Sequence, residues 1–224
     1  MATFQAQIQG MTGLTISSSG TIPTEAQLNE FLQTAVTEVV DAIINARPAE
    51  VAKFSQTTDA TSYIAQTGRI VSVMREHDST DILRPCDKIP ASLRGGAIDI
   101  ESLNYRSKYN PAFYILDGNI HTVPQAASGN NDIVVTQVTY DTGVAYSDSS
   151  VDYFPQQYEH LIILNASIKC LDAKMATYTH TDEDTELAQA IAGSIASLKS
   201  QYNMVIPKAR AAQAPQQPQR QGAR

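Results

Sequence analysis

His77, His121, His160 and His180, with Cys86 and Cys170, are the side chains of this sequence best suited to ligate a metal, carry a proton or attack an electrophile. Their spacing gathers none of that chemistry. No two histidines stand at the His-x-x-x-His interval that puts both imidazoles on one helix face, and the cysteines lie far apart with no Cys-x-x-Cys pair. A serine nucleophile needs a strained Gly-x-Ser-x-Gly turn, which is absent, and neither cysteine is read as sitting in a basic or glycine-rich setting. Arg94-Gly95-Gly96 lacks the Gly-x-x-x-x-Gly-Lys-Ser/Thr pattern of a phosphate cradle and reads as a bend in a long loop from Ser79 to Ser107. His160 follows Glu159, but neighbouring helix positions face different ways, so His160 reads as a solvated or core-edge residue. Asp182-Glu183-Asp184 reads as an acidic helix start favoured by the dipole rather than a cation site. The expectation is a chain that is not an enzyme, with no catalytic residue, no metal and no cofactor.

Composition narrows the remaining classes. With 224 residues, 42% hydrophobic and 17% charged, the chain has room for a genuine core without disulfide staples. A net charge of −7 disfavours a protein whose main task is gripping phosphates. The two cysteines suit free thiols in a reducing compartment, with one long-range bridge left open. Residues 1–20 carry no charged side chain and lack the pattern of a secretion signal, and the longest apolar run is Leu161-Ile162-Ile163-Leu164, so neither export nor a membrane span is expected. Ten tyrosines and no tryptophan leave two readings open. Tyr105, Tyr109, Tyr114, Tyr140, Tyr146, Tyr153 and Tyr158 are contact-surface rings or ordinary sheet packing.

The elements that position these residues follow from periodicity. Thr24-Glu25-Ala26-Gln27 is a capping box, and Leu28, Phe31, Leu32, Ala35, Val36, Val39, Val40, Ile43 and Ile44 then recur with helical period up to Arg47-Pro48. A second helix opens at Phe154-Pro155 and carries Leu161, Ile162, Ile168 and Leu171. A third begins near Thr181-Asp182-Glu183-Asp184 and carries Leu187, Ile191, Ile195 and Leu198, antiparallel to the second across the short Thr179-His180-Thr181 connection. Between the first helix and these two, Arg69–Met74, Ala112–Leu116, Asn119–Val123 and Ile133–Tyr140 read as strands, with Asp117-Gly118-Asn119 as a tight hairpin turn and residues 128–132 as a loop. The fold class expected is α+β. A helical bundle, with core Leu28, Phe31, Leu32, Val36, Val39, Ile43, Leu161, Ile162, Ile168, Leu171, Leu187, Ile191, Ile195 and Leu198, carries an inserted antiparallel β region. The boundaries are 1–63 for the N-terminal segment and first helix, 64–153 for the insertion, 154–204 for the two later helices and 205–224 for an extended arm. Residues 1–20 fit either a strand, by Phe4-Ala6-Ile8, or a helix, by Phe4, Ile8 and Met11.

The arm has a distinct chemistry. Residues 205–224 contain Lys208, Arg210, Arg220 and Arg224, no acid, and mostly Gln, Pro and Ala, a composition that builds no core. The preceding 204 residues carry the balance of −11, so a basic arm hangs from an acidic body.

Phe154-Pro155-Gln156-Gln157-Tyr158-Glu159-His160-Leu161-Ile162-Ile163, followed by Ala166-Ser167-Ile168-Lys169-Cys170-Leu171, resembles the helix start of head-to-tail adaptor (connector) proteins of tailed bacteriophages. Asn104-Tyr105-Arg106, Lys108–Pro111 and Phe113–Ile120 look like β segments of phage neck proteins, and residues 14–32 are similar to the opening of virion structural proteins of marine and cyanobacterial phages. The resemblance implies a ring of identical subunits, typically twelve, beneath the portal, continuing its DNA channel toward a downstream tail or nozzle protein, within a virion assembled in the bacterial cytoplasm. It also implies that an extended C-terminus reaches the portal, a role that falls here on Val205, Ile206, Lys208, Arg210, Arg220 and Arg224. An acidic wall suits a conduit, since a basic lumen would hold phosphates in a salt-dependent grip. The alternatives are another neck or tail-completion protein that stacks by sheet augmentation, a nucleic-acid-binding packaging accessory whose arm grips DNA, and an unrecognised hydrolase.

Overall fold

The computed structural model describes residues 2–77, 82–125, 133–179 and 185–211. Along the chain come α1 (Phe4–Thr12) and α2 (Glu25–Ala46), then strands β1 (Ser55–Ala60), β2 (Tyr63–Ala65), β3 (Ile70–Glu76), β4 (Leu83–Pro85) and β5 (Asp87–Lys88). A short α3 (Arg94–Ile98) precedes β6 (Ala112–Leu116), β7 (Asn119–Val123) and β8 (Ile133–Val138), and α4 (Glu159–Thr177) and α5 (Thr185–Ala211) follow. The fold is α+β, and it separates into a helical unit, residues 1–50 with 140–224, and a β unit, residues 51–139, inserted between them.

In the helical unit α4 is the central member. Leu161, Ile162, Ile163, Leu164, Ala166, Ile168, Cys170 and Leu171 are buried on successive faces, the pattern of a helix surrounded by others, here α1, α2 and α5. Within the ambiguous N-terminal stretch, Phe4–Thr12 form a helix rather than a strand, because Thr3 caps it and Phe4 and Ile8 share one buried face. The capping box at Thr24 forms as its sequence predicts: Thr24 accepts from the Gln27 N–H, and the Gln27 side chain accepts from the Thr24 N–H at 2.9 Å. Glu38 clamps α2 to α4, accepting from Asn165 at 2.9 Å and from Lys169 at 2.8 Å. Burial raises the Glu38 carboxyl, but these two hydrogen bonds and the Lys169 charge outweigh it and hold the group below its ordinary value. Nearer the end of α2, Arg47 donates to Glu50 at 3.0 Å and to Tyr158 at 3.1 Å, and the Tyr158 hydroxyl donates to Glu50 at 2.6 Å.

Most of the expected bundle core is buried, with three corrections. Leu187 is 46% exposed and Ile191 only half-buried. The ion pair Lys199–Asp172 shows how far α5 has advanced along α4, and with antiparallel pairing Leu187 falls past Thr177, where no turn of α4 remains to cover it. Phe31 also stays half-buried on the rim of α2. The expected acidic helix start at residues 181–184 and the connecting His180 lie outside the described residues.

The β unit is a pair of four-stranded sheets, ordered β1-β8-β3-β4 and β2-β7-β6-β5. All four strands expected from the sequence form, and the pairing is antiparallel except for β5 beside β6. Ile64, Phe113 and Ile120 of one sheet meet Val73, Ile133 and Val135 of the other in a shared core. The β6–β7 hairpin turns on Asp117 and Gly118, at φ 50° and 72°, with Leu116 opposite Asn119, the left-handed pair that a two-residue turn requires. The unit starts at Val51 and ends at Thr139, so the expected 64–153 boundaries move. β1 is Ser-Gln-Thr-Thr-Asp-Ala, a polar edge strand whose hydrophobic pattern is silent, and it finds its place through six paired residues on β8. Residues 140–153 instead fold onto the helical unit, where the Tyr146 N–H donates to Asn29 at 2.7 Å and the Phe4 N–H donates to the Asp148 carbonyl at 2.8 Å. The expected loop at residues 128–132 lies outside the described residues.

Candidate functional site

The residues that sequence alone marks for chemistry stay dispersed. His160 is exposed on α4, and its neighbour Glu159 is buried, accepting from the Val151 N–H at 3.4 Å. His121 stacks on Tyr114 with ring centroids 5.2 Å apart, and His77 packs against Tyr109 at 4.8 Å, both in the β unit. Cys86 and Cys170 are free thiols, and burial pushes each up to about 12, so both are protonated near neutrality and poor nucleophiles. Among the described residues no three His, Cys, Asp or Glu side chains gather where they could hold a metal ion, and no helix is long and apolar enough to cross a membrane.

Two clefts open on the helical unit. The first, about 520 Å³, is lined by Asp141, Asp148, Asp152 and the serines between them. Two of its carboxylates are engaged in folding the loop: Asp141 accepts from the Gly143 and Asp152 N–H groups at 2.9 and 3.2 Å, and Asp148 accepts from the Ala145 N–H at 2.8 Å. The second, about 450 Å³, is apolar and lies where Gln7 and Met11 of α1, His160, Ile163 and Leu164 of α4, and Gln201 of α5 converge.

The sequence matches no family model and no curated protein.

Of the residues expected to bind a portal, Val205 and Ile206 are half-buried in α5, and the backbone at Lys208 and Arg210 continues the same helix. The arm expected to be extended from residue 205 is thus helical through Ala211. Pro207 lacks one N–H, a loss the helix absorbs without ending there. Arg220 and Arg224 lie outside the described residues. Of the tyrosines, Tyr105, Tyr109 and Tyr153 are exposed, whereas Tyr140 donates to Asp41 at 2.7 Å and Tyr158 is tied to Arg47 and Glu50 within the helical unit.

The feature that sequence reading passes over lies in the loop from Ser79 to Ser107. Gly95 and Gly96 do not bend it; they sit inside α3. A side chain at Gly96 would come within 3.0 Å of the Ser102 hydroxyl, so the glycine permits a close return of the chain rather than a turn. That return exposes Ile98, Ile100 and Leu103, at 68%, 76% and fully open. The available signal was three large aliphatic residues in six, in a stretch assigned no element.

Proposed function

We propose that the chain is a virion structural protein, a head-to-tail adaptor whose copies form a ring beneath a portal and extend its DNA channel, with the C-terminal segment docking on the portal. The observation that carries this reading is charge separation along the helical unit. Residues 1–50 and 140–204 hold fourteen Asp and Glu against four Lys and Arg, a net of −10, while α5 runs from this body directly into residues 205–224, with four cations and no anion. An acidic wall lets a phosphate backbone slide past, and a basic end pairs with an acidic groove on a partner. The twelvefold count and the downstream tail protein come from the resemblance alone. The dispersed histidines and the protonated thiols favour an assembly role over covalent chemistry.

The test is binding to the cognate portal ring by two variants. One ends at Ala211, which spares the half-buried Val205 and Ile206 and hence the fold; the other replaces Lys208, Arg210, Arg220 and Arg224 by Gln. Loss of portal binding at least tenfold in both, with unchanged circular dichroism, is expected. Undiminished binding overturns the docking role, and steep salt-dependent binding to duplex DNA that disappears with the same variants would transfer the reading to a packaging accessory.

A further inference from the structure

Strand β1 is an edge of its sheet, and the bonds at its start fix which way its backbone groups point. The Thr139 N–H donates to the Phe54 carbonyl at 2.9 Å, so the hydrogen-bonded pairs between β1 and β8 recur at every second residue: Gln56 with Gln137, Thr58 with Val135, Ala60 with Ile133. The Val138 N–H, one residue before Thr139, donates to the Arg69 carbonyl instead, away from β1. Thr57 and Asp59 therefore turn their N–H and C=O groups outward, and among the described residues nothing bonds to the main chain of either. Both are exposed, as is Thr58 between them. The inner side is held firmly, because Val135 and Ile133 belong to the core shared by the two sheets, so the edge is ordered before any partner arrives. The devices that close an edge to pairing are missing here: the register on β8 runs through six residues without a bulge, and the strand holds no proline and no lysine.

Hydrogen-bond geometry, length and charge select the occupant. Outward N–H and C=O groups two residues apart fit an extended backbone, the partner of strand addition. Of the edges in the two sheets, β4 and β2 are three residues long, β5 is two, and β4 also holds Pro85; the six-residue β1 is matched in length by another β1. Antiparallel pairing of two such strands about a two-fold axis at Thr58 sets Thr57 of each copy opposite Asp59 of the other. Every outward residue then meets an outward residue, and each carboxylate meets a hydroxyl on the same face instead of the second carboxylate. We propose that two copies of this chain pair through β1, main chain to main chain, joining their β4-β3-β8-β1 sheets into one. Such an interface is isologous, the same strand serving on both sides. It holds the two copies in opposite senses, whereas copies in a portal ring all point the same way. The pair is thus a form of the chain outside a ring, and it does not rest on the adaptor reading.

Sedimentation equilibrium of the full-length chain and three variants at Thr57 tests it. The wild type is expected to show a monomer–dimer equilibrium. Thr57→Pro deletes an outward N–H that β8 does not use, so the fold should persist by circular dichroism while the dimer is lost; Asp59→Pro, which deletes the other outward N–H, replaces it should the first fail to fold. Thr57→Lys sets a cation opposite Asp59 of the second copy and Thr57→Asp sets a like charge there, and both lose the same hydroxyl contact with Thr136. The lysine variant should dimerise more tightly than the aspartate variant, by about two- to thirtyfold in dissociation constant for two symmetric pairs. A dimer that survives both proline variants overturns edge pairing, and one indifferent to the sign of charge at residue 57 overturns the two-fold register. A wild type that stays monomeric up to its limit of solubility overturns the pair altogether. Portal binding by Thr57→Pro reports on the adaptor reading separately, since that reading places docking on residues 205–224.

Discussion

Cys170 sits in the middle of α4, and burial alone moves its thiol from the ordinary 9.0 to about 12; Cys86 in the β unit reaches about 12 as well, its burial opposed in part by Arg75. Each thiol thus holds its proton more tightly in the folded chain than in the unfolded one. The contribution to stability is complete below pH 9 and is lost as pH rises toward 12, because only the unfolded chain releases the proton in that window. The urea midpoint is therefore expected to fall between pH 9 and 11. Cys170→Ala should start from a lower midpoint, for want of a buried sulfur, but fall less steeply over the same range; parallel slopes for the two proteins would count against the assignment. Such residue-scale properties were only half legible. The sequence favours free thiols but leaves one long-range bridge open, whereas the burial of Cys170 depends on α1 and α2, which are distant in sequence, and that of Cys86 on the core of the β unit.

At the scale of elements, caps and turns act through a few backbone groups, so their contributions can be stated locally. Thr24→Ala removes the acceptor for the Gln27 N–H and is expected to cost about 1 kcal/mol. Gly118→Ala forces a Cβ into φ 72° and is expected to cost about 1 kcal/mol, read in both cases as a lower urea midpoint with an unchanged slope. Alanine at Gly20, also at positive φ with open space around it, offers a control for the conformational part of that penalty. Helix α2, the Asp117-Gly118 hairpin and four strands were legible because their signals are contained within a dozen residues. β1 was not, since Ser55–Ala60 has no apolar alternation and is a strand only because β8 pairs with it. Helix α5 differs from its sequence reading at both ends: Leu187 fits the core by period but outruns α4, and the coreless composition from Val205 onward suggests an arm although the helix continues to Ala211.

At the scale of the whole molecule, the β unit interrupts the helical unit in sequence while each remains compact in itself. Leu161, in the helical unit, and Ile120, in the β unit, are each buried to 1% or less. Truncating either to Ala is expected to cost about 2–5 kcal/mol. Hydrogen exchange should then accelerate first in helices α1, α2, α4 and α5 for Leu161→Ala, and first in strands β1 to β8 for Ile120→Ala; identical acceleration in both units would show that they unfold as one. What the sequence by itself determined is the alternation of classes, helix then strands then helices, and the contrast between an acidic body and a basic end. Periodicity and charge are properties of neighbouring residues and survive without coordinates. Only the tertiary structure decided which apolar residues lack cover. Ile98, Ile100 and Leu103 have the same chemistry as the core residues, and their exposure depends on where the rest of the chain does not go.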